Sequence, residues 1–143
     1  MAVGRPTHYN AEIATLICER VKTHDWGLKR LTEYYDDLPA KMTVNLWRAK
    51  HPEFSSQYAQ AKLEQADLLA EECLDIADDA SSDIKFNDDG NPIWDINSIN
   101  RARLRIDTRK WLAAKLLPRQ YGAQAEESKS LSDSIVEKLI DKL

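Results

Sequence analysis

Hydrophobic side chains recur at helical spacing along almost the whole chain of 143 residues. The spacing predicts three short helices near the N-terminus, over about residues 11–22, 28–35 and 43–50. Asn10 is a suitable N-cap for the first helix, and Pro39 must lie outside the other two because proline breaks a helix interior. The third helix turns Val44 and Trp47 inward. This order of helices is typical of a helix-turn-helix unit.

A fourth, much longer helix is predicted from Pro52 to about Ala80, and its apolar residues form two stripes. A helix of a small monomer needs only one buried face, so the second stripe predicts contact with a neighbouring subunit. The residues of this second stripe that we assign to oligomerisation are Leu63, Ala66, Ala70 and Leu74.

Residues 84–94 interrupt the helical pattern. The short apolar runs Ile84–Phe86 and Ile93–Trp94 flank an Asp-Gly pair, which predicts a small β-hairpin. The acidic turn does not fit a calcium-binding loop, because Lys85 and Ile96 would occupy loop positions that need carboxylates.

A fifth helix is predicted from about Ser98 to Leu117, with Trp111 on one of its two apolar sides. Residues 59–100 hold 2 basic and 11 acidic side chains, whereas residues 101–120 hold 7 basic and 1 acidic. Such segregation predicts that segments or copies of the chain pair by charge. We therefore expect a basic row to pair with an acidic row of the fourth helix; the alternative is a DNA-facing channel lined by the basic row. The acidic row comprises Glu64, Asp67, Glu71, Asp75 and Asp78. The basic row comprises Arg101, Arg105 and Arg109, which together with Trp111 we also assign to oligomerisation.

The last predicted element follows a polar stretch, residues 123–130. It is an amphipathic segment whose apolar stripe includes Leu131, Ile135 and Leu139. Such a stripe either packs on the chain's own core or docks on another protein, and we favour docking.

The fold class predicted from these elements is all-α, with a helix-turn-helix domain, a long antiparallel helical hairpin, the β-hairpin and the C-terminal tail. The expected boundaries are residues 1–51, 52–122 and 123–143. No apolar run reaches the roughly 18–20 residues of a membrane span. His8, His24 and His51 belong to no metal-ligand pattern, and no catalytic constellation is present, so we expect neither an enzyme nor a cofactor or metal.

DNA-binding residues are expected on and around the third helix. Its outward Asn45 can bond adenine, and the adjacent Leu46 can touch a thymine methyl group. Lys29 and Arg30 on the second helix are suited to phosphate contacts, and Arg5 in the N-terminal arm to a minor groove. The remaining candidates are Lys41, in the turn that enters the third helix, and Thr43, Arg48 and Lys50.

Several strings of the sequence resemble those of a known family. Leu38-Pro39, Trp47 and His51-Pro52-Glu53-Phe54 are similar to the N-terminal half of phage terminase small subunits. Residues 102–111, ARLRIDTRKW, followed by Tyr121-Gly122, are specific for the Shigella-phage type of that family. The resemblance covers about residues 4–122.

This resemblance implies a non-enzymatic subunit of the genome-packaging motor of a tailed double-stranded DNA phage, acting in the host cell cytoplasm. Such proteins recognise viral DNA at the packaging initiation site, form rings of many copies, and recruit and regulate the large terminase subunit, which is an ATPase and nuclease. It also implies that residues 43–50 form the recognition helix and that the fourth and fifth helices build the ring. The expected docking site for the large subunit is then Leu131, Ile135 and Leu139.

Two other functions remain open from the sequence. A helix-turn-helix transcription regulator would be a dimer on a palindromic site. A purely structural oligomer would show no salt-sensitive DNA binding.

Overall fold

The computed structural model describes residues 5–122 and 134–142 of the chain. It confirms the all-α class with one small β-hairpin. The chain divides into two compact units, Met1–Leu68 and Leu69–Leu143. The elements are α1 (Ala11–Thr23), α2 (Leu28–Tyr34), α3 (Lys41–Lys50), α4 (Pro52–Asp78), β1 (Ile84–Phe86), β2 (Pro92–Trp94), α5 (Ile96–Leu116) and α6 (Pro118–Tyr121), and residues 134–141 are also helical.

The first unit is built around one hydrophobic core to which all four of its helices contribute. Ile17 on α1, Leu31 on α2 and Val44 on α3 are each at most 1% exposed. Phe54 and Tyr58 on α4 belong to the same cluster. The compact unit therefore extends beyond residue 51, the predicted domain boundary, because the first turns of α4 complete the core of the three N-terminal helices.

The ends of the helices follow local chemistry. The Asn10 side chain accepts a hydrogen bond of 2.9 Å from the backbone N–H of Ile13 and caps α1 as predicted. Pro52 occupies the first turn of α4, where its missing N–H costs nothing. However, α3 begins at Lys41, two residues before the predicted start, because its N-cap is Ala40, whose side chain makes no capping bond and leaves no signal in the sequence.

A buried amide joins α4 to the loop between α1 and α2. Gln65 is 1% exposed, and its Nε2 donates to the backbone oxygens of His24 and Trp26, each at 2.9 Å. Lys62 Nζ donates to Gln65 Oε1 at 2.6 Å. The Gln65 amide therefore supplies the two loop carbonyls with the hydrogen-bond donors that water would otherwise provide.

In the second unit, the C-terminal part of α4 packs antiparallel to α5. Cys73 Sγ lies 3.8 Å from the backbone oxygen of Ile106, and Arg109 Nε donates to Glu72 Oε2 at 2.8 Å. Asp95 caps α5 by accepting from Ser98 N. α5 therefore begins at Ile96, two residues earlier than predicted.

The β-hairpin lies where the sequence placed it. β1 and β2 pair antiparallel, with Ile84 opposite Trp94 and Phe86 opposite Pro92. Asn87 Oδ1 accepts from two backbone N–H groups within the turn, those of Asp89 and Asn91. Gly90 has φ 78°, the left-handed conformation that favours glycine.

Candidate nucleic-acid interface

The outward face of α3 is the centre of the candidate interface. Val44 and Trp47 are buried, as predicted, and this orientation is fixed by their place in the core of the first unit. The opposite face is solvent-exposed and carries Met42, Asn45, Leu46 and Ala49. A helix that is anchored on one side and free on the other can enter a groove without rearrangement of the core.

The charges on α3 are all positive. Lys41, Arg48 and Lys50 are exposed, and the helix contains no acidic residue. Lys41 is the first residue of the helix rather than part of the entering turn, and Thr43 is half-buried. A short helix with three cations and no anion is suited to a polyanionic surface.

Arg48 is held in place by two neighbours. Its guanidinium carbon lies 4.1 Å from the centre of the Tyr58 ring, and its Nη1 donates to Asn45 Oδ1 at 3.4 Å. Burial raises the pKa of Tyr58, and the Arg48 charge opposes this. Burial, together with the like charge of Arg48, lowers the pKa of Lys62. Lys62, a basic side chain that the sequence did not single out, therefore lies within electrostatic range of Arg48.

The two basic candidates on α2, Lys29 and Arg30, are exposed, and each makes one contact with a neighbouring side chain. Lys29 lies 4.0 Å from Glu33 on the same helix. The Arg30 guanidinium stacks over the Trp26 ring at 4.1 Å. Neither contact removes the charge from solvent, so both side chains can still approach a phosphate.

Arg5 is not a free arm, and this corrects the sequence prediction. Its Nη1 donates to the backbone oxygens of Thr32 at 2.6 Å and Leu38 at 3.2 Å, and Nη2 lies 3.9 Å from Asp36. The guanidinium satisfies carbonyls at the end of α2 and in the following turn. Arg5 therefore fastens the N-terminal segment to its own unit.

The basic row of α5 lies beside acidic residues of α4, some within the predicted acidic row and some outside it. Arg109 pairs with Glu72, which lies outside the predicted acidic row. Arg101 and Arg105 instead line a cleft of about 280 Å³ together with Asp75, Asp79 and Asp83. A side-chain and a backbone hydrogen bond from Ser81 lower the pKa of Asp79, and the charge of Arg105 contributes to this shift.

The residues assigned to oligomerisation divide into exposed and buried groups. Leu63 is 36% exposed, Leu74 67% and Trp111 61%. Ala66, in contrast, is fully buried within a single chain, and Ala70 is half-buried. Ala66 therefore has no surface left for a neighbouring subunit, which corrects that assignment.

The apolar stripe of the tail is exposed where the structure describes it. Ile135 and Leu139 are 58% and 59% exposed, on the helical residues 134–141. Leu131, the third predicted docking residue, lies outside the described residues.

Within residues 5–122 and 134–142, no group of three His, Cys, Asp or Glu side chains is placed to hold a metal ion. No helix in the same part of the chain is long and apolar enough to cross a membrane.

Residue 42 is a further candidate that the sequence analysis did not assign. Met42 is the most exposed large hydrophobic residue of α3, at 77%. The sequence pattern did not show that α3 begins at Lys41. A helix that begins at residue 43 leaves Met42 in the preceding turn, so Met42 was not placed on the exposed face.

Comparisons with known proteins agree with this arrangement. Residues 9–128 match the family model described as Bacteriophage Sf6, terminase small subunit-like. Crystal structures of single-residue variants of the terminase small subunit gp1 of the bacterial virus Sf6 are similar to the chain at 37% sequence identity. One superposes with a TM-score of 0.63, covering 82% of this chain and 84% of the other. A second has a TM-score of 0.64, with 82% and 79% covered. Among curated proteins, no sequence matches the chain.

Proposed function

Because the chain belongs to the Sf6 terminase small subunit-like family, we propose that it recognises viral double-stranded DNA at the packaging initiation site. It assembles as a ring there, in the host cell cytoplasm, and recruits and regulates the large ATPase and nuclease subunit. It contributes no catalytic group of its own. The observation that carries the DNA-binding part is the exposed face of α3, which is flanked by cations and free of acidic residues.

The geometry supports different DNA contacts for α3 and α2. Asn45 on α3 faces a base edge, whereas Lys41, Thr43, Arg48 and Lys50 on the same helix bind phosphates beside it. Lys29 and Arg30 on α2 bind the backbone outside the groove, as the first helix of such a motif does. The low basic density of one chain suffices because a ring presents many copies at high effective concentration.

Ring assembly is supported by apolar surface that a single chain leaves in water. Leu74 on α4 and Trp111 on α5 are more than half exposed, and Leu63 and Leu104 are exposed as well. Large side chains of this kind on both helices mark a protein interface. Burial of each side chain gains about 1.5–3 kcal/mol.

The large subunit is proposed to bind the tail. Ile135 and Leu139 share one face of a helix, and Val136 and Ile140 beside them are also more than half exposed. A helix of about eight residues is marginal in water by itself, so its apolar stripe gains most from a groove on another protein.

The DNA-binding part is tested by replacing Lys41 and Lys50 together with alanine. Each lost phosphate contact lowers the slope of log affinity against log salt by about 0.9, so the double variant should bind more weakly with a slope smaller by about 2. The matched control replaces Lys85 and Lys138, which lie outside the first unit. Fluorescence anisotropy with a duplex at several salt concentrations measures both. Equal slopes for the double variant and the wild type would reject α3 as the interface.

A further inference from the structure

Two apolar side chains stand side by side on the exposed face of α3. Met42 is 77% exposed and Leu46 is 53% exposed. They are four residues apart, a spacing that brings side chains together on one face of a helix. With Lys41 and Asn45 they line a shallow open groove.

The position of this pair in the motif limits what can cover it. In a helix-turn-helix unit the N-terminal residues of the second helix contact the base edges in the major groove. Met42 and Leu46 occupy the first six residues of α3. Lys41 before them and Lys50 after them offer charges to phosphates, and α3 has no carboxylate that would repel DNA. Charge complementarity therefore favours a duplex as the occupant.

The major groove offers one prominent apolar group, the C5-methyl of thymine. We propose that Met42 and Leu46 contact thymine methyl groups, so that this pair, and Met42 above all, determines a preference for thymine within the recognised site. The inference rests on the proposed function, because it requires α3 to lie in the groove. Asn45, between them on the same face, is then beside the adenine of the same or the next base pair.

The chemistry of the contact gives a direct probe. Deoxyuridine pairs as thymidine does but lacks the methyl group, so its substitution removes only the apolar contact. One methyl buried on binding changes affinity by about fourfold, and two by about tenfold or more. A flexible thioether such as Met42 adapts its shape to the methyl groups that it meets.

The experiment uses the full-length protein and duplexes with a randomised core. Bound duplexes are selected, sequenced and resynthesised with deoxyuridine in place of every core thymidine. We expect thymine to be enriched in the selected core and the wild type to bind the uracil duplex about four- to tenfold more weakly. The double variant Met42→Ala/Leu46→Ala should bind both duplexes nearly equally, whereas Met42→Leu, which keeps an apolar side chain, should still prefer thymine.

Controls and outcomes separate the inference from the proposed function on which it rests. Phe86→Ala removes a similarly exposed apolar side chain, on β1 outside the first unit, and should keep the wild-type preference. Selection without thymine enrichment, or equal affinity of the wild type for both duplexes, would overturn the methyl contact while leaving DNA binding intact. Absence of binding to any duplex at low salt would overturn the proposed function as well.

Discussion

At the scale of single residues, Gln65 shows how one polar group can organise a core. It donates two hydrogen bonds of 2.9 Å to the loop between α1 and α2 and receives a third from Lys62. The loop carbonyls of His24 and Trp26 would lose these donors if the amide were removed, and each unsatisfied buried group costs about 1–3 kcal/mol.

We therefore predict that Gln65→Ala lowers the free energy of unfolding by about 2–4 kcal/mol. Gln60→Ala, at an exposed position of the same helix, should change it by less than about 0.5 kcal/mol. Urea unfolding at one fixed protein concentration measures both, since assembly makes stability depend on concentration. A Gln65 variant as stable as the Gln60 variant would show that water replaces the amide.

Cys18 gives a second prediction at this scale. Burial, followed by the charge of Glu19, raises the pKa of its thiol from 9.0 to about 11. The thiolate is the reactive form of cysteine. Near pH 8 the fraction of Cys18 present as thiolate should therefore be about a hundredfold lower in the folded protein than for a thiol of ordinary pKa. The same shift makes the folded state lose stability as the pH rises from about 9 towards 11, where only the unfolded chain releases this proton.

The measurement is the rate of alkylation by iodoacetamide in the Cys73→Ser variant, in buffer and in concentrated urea. The rate should rise by about two orders of magnitude on unfolding. Equal rates in both conditions would mean that the Cys18 thiol is not shielded in the fold.

At the scale of elements, most of the fold could be predicted because the signals are local. Periodic apolar residues located α1 to α5 but not the short α6, Asn10 marked the first N-cap, and the Asp-Gly pair marked the hairpin. The starts of α3 and α5 were each missed by two residues. Ala40 makes no side-chain cap and left no start signal, whereas Asp95 is a suitable N-cap that went unused because it directly follows a strand.

Contacts between distant elements could not be predicted in the same way. Glu72 is not part of the acidic row that was expected to meet Arg109, yet it pairs with Arg109, because the register of α4 against α5 depends on the backbone path through residues 79–95. Arg5 was predicted to reach a minor groove, yet it bonds to carbonyls that become neighbours only in the folded unit. Gln65 lies on a helix rich in polar residues, and nothing in the sequence pattern marks it as buried.

The Arg109–Glu72 pair leads to a prediction about how α5 is held on α4. Its side chains are only 15% and 25% exposed, and the Nε–Oε2 distance is 2.8 Å. A double-mutant cycle with alanine at both positions should give a coupling energy of about 1–2 kcal/mol. The exposed pair Lys29 and Glu33, at 4.0 Å, is the matched control and should give less than about 0.5 kcal/mol. Similar coupling in both cycles would contradict a specific role for the half-buried pair.

At the scale of the whole molecule, the tail is proposed to act separately from the ring. We predict that a chain ending at Gly122 still assembles and binds DNA but no longer retains the large terminase subunit in a pull-down. Replacing Ile135 and Leu139 together by glutamate in the full-length chain should have the same effect, because charge at both positions destroys the apolar stripe. Retention of the large subunit by both variants would place its docking site elsewhere, and failure to assemble would make the tail part of the core.

The central claim is that this chain is a ring-forming packaging subunit, and native mass spectrometry of the full-length protein tests it most directly. The exposed apolar residues of α4 and α5 predict one closed assembly of many copies of the 16.4 kDa chain, which Leu74→Arg should dissociate while Leu139→Arg leaves it intact. A dimer as the largest species would contradict the claim and favour a helix-turn-helix transcription regulator instead.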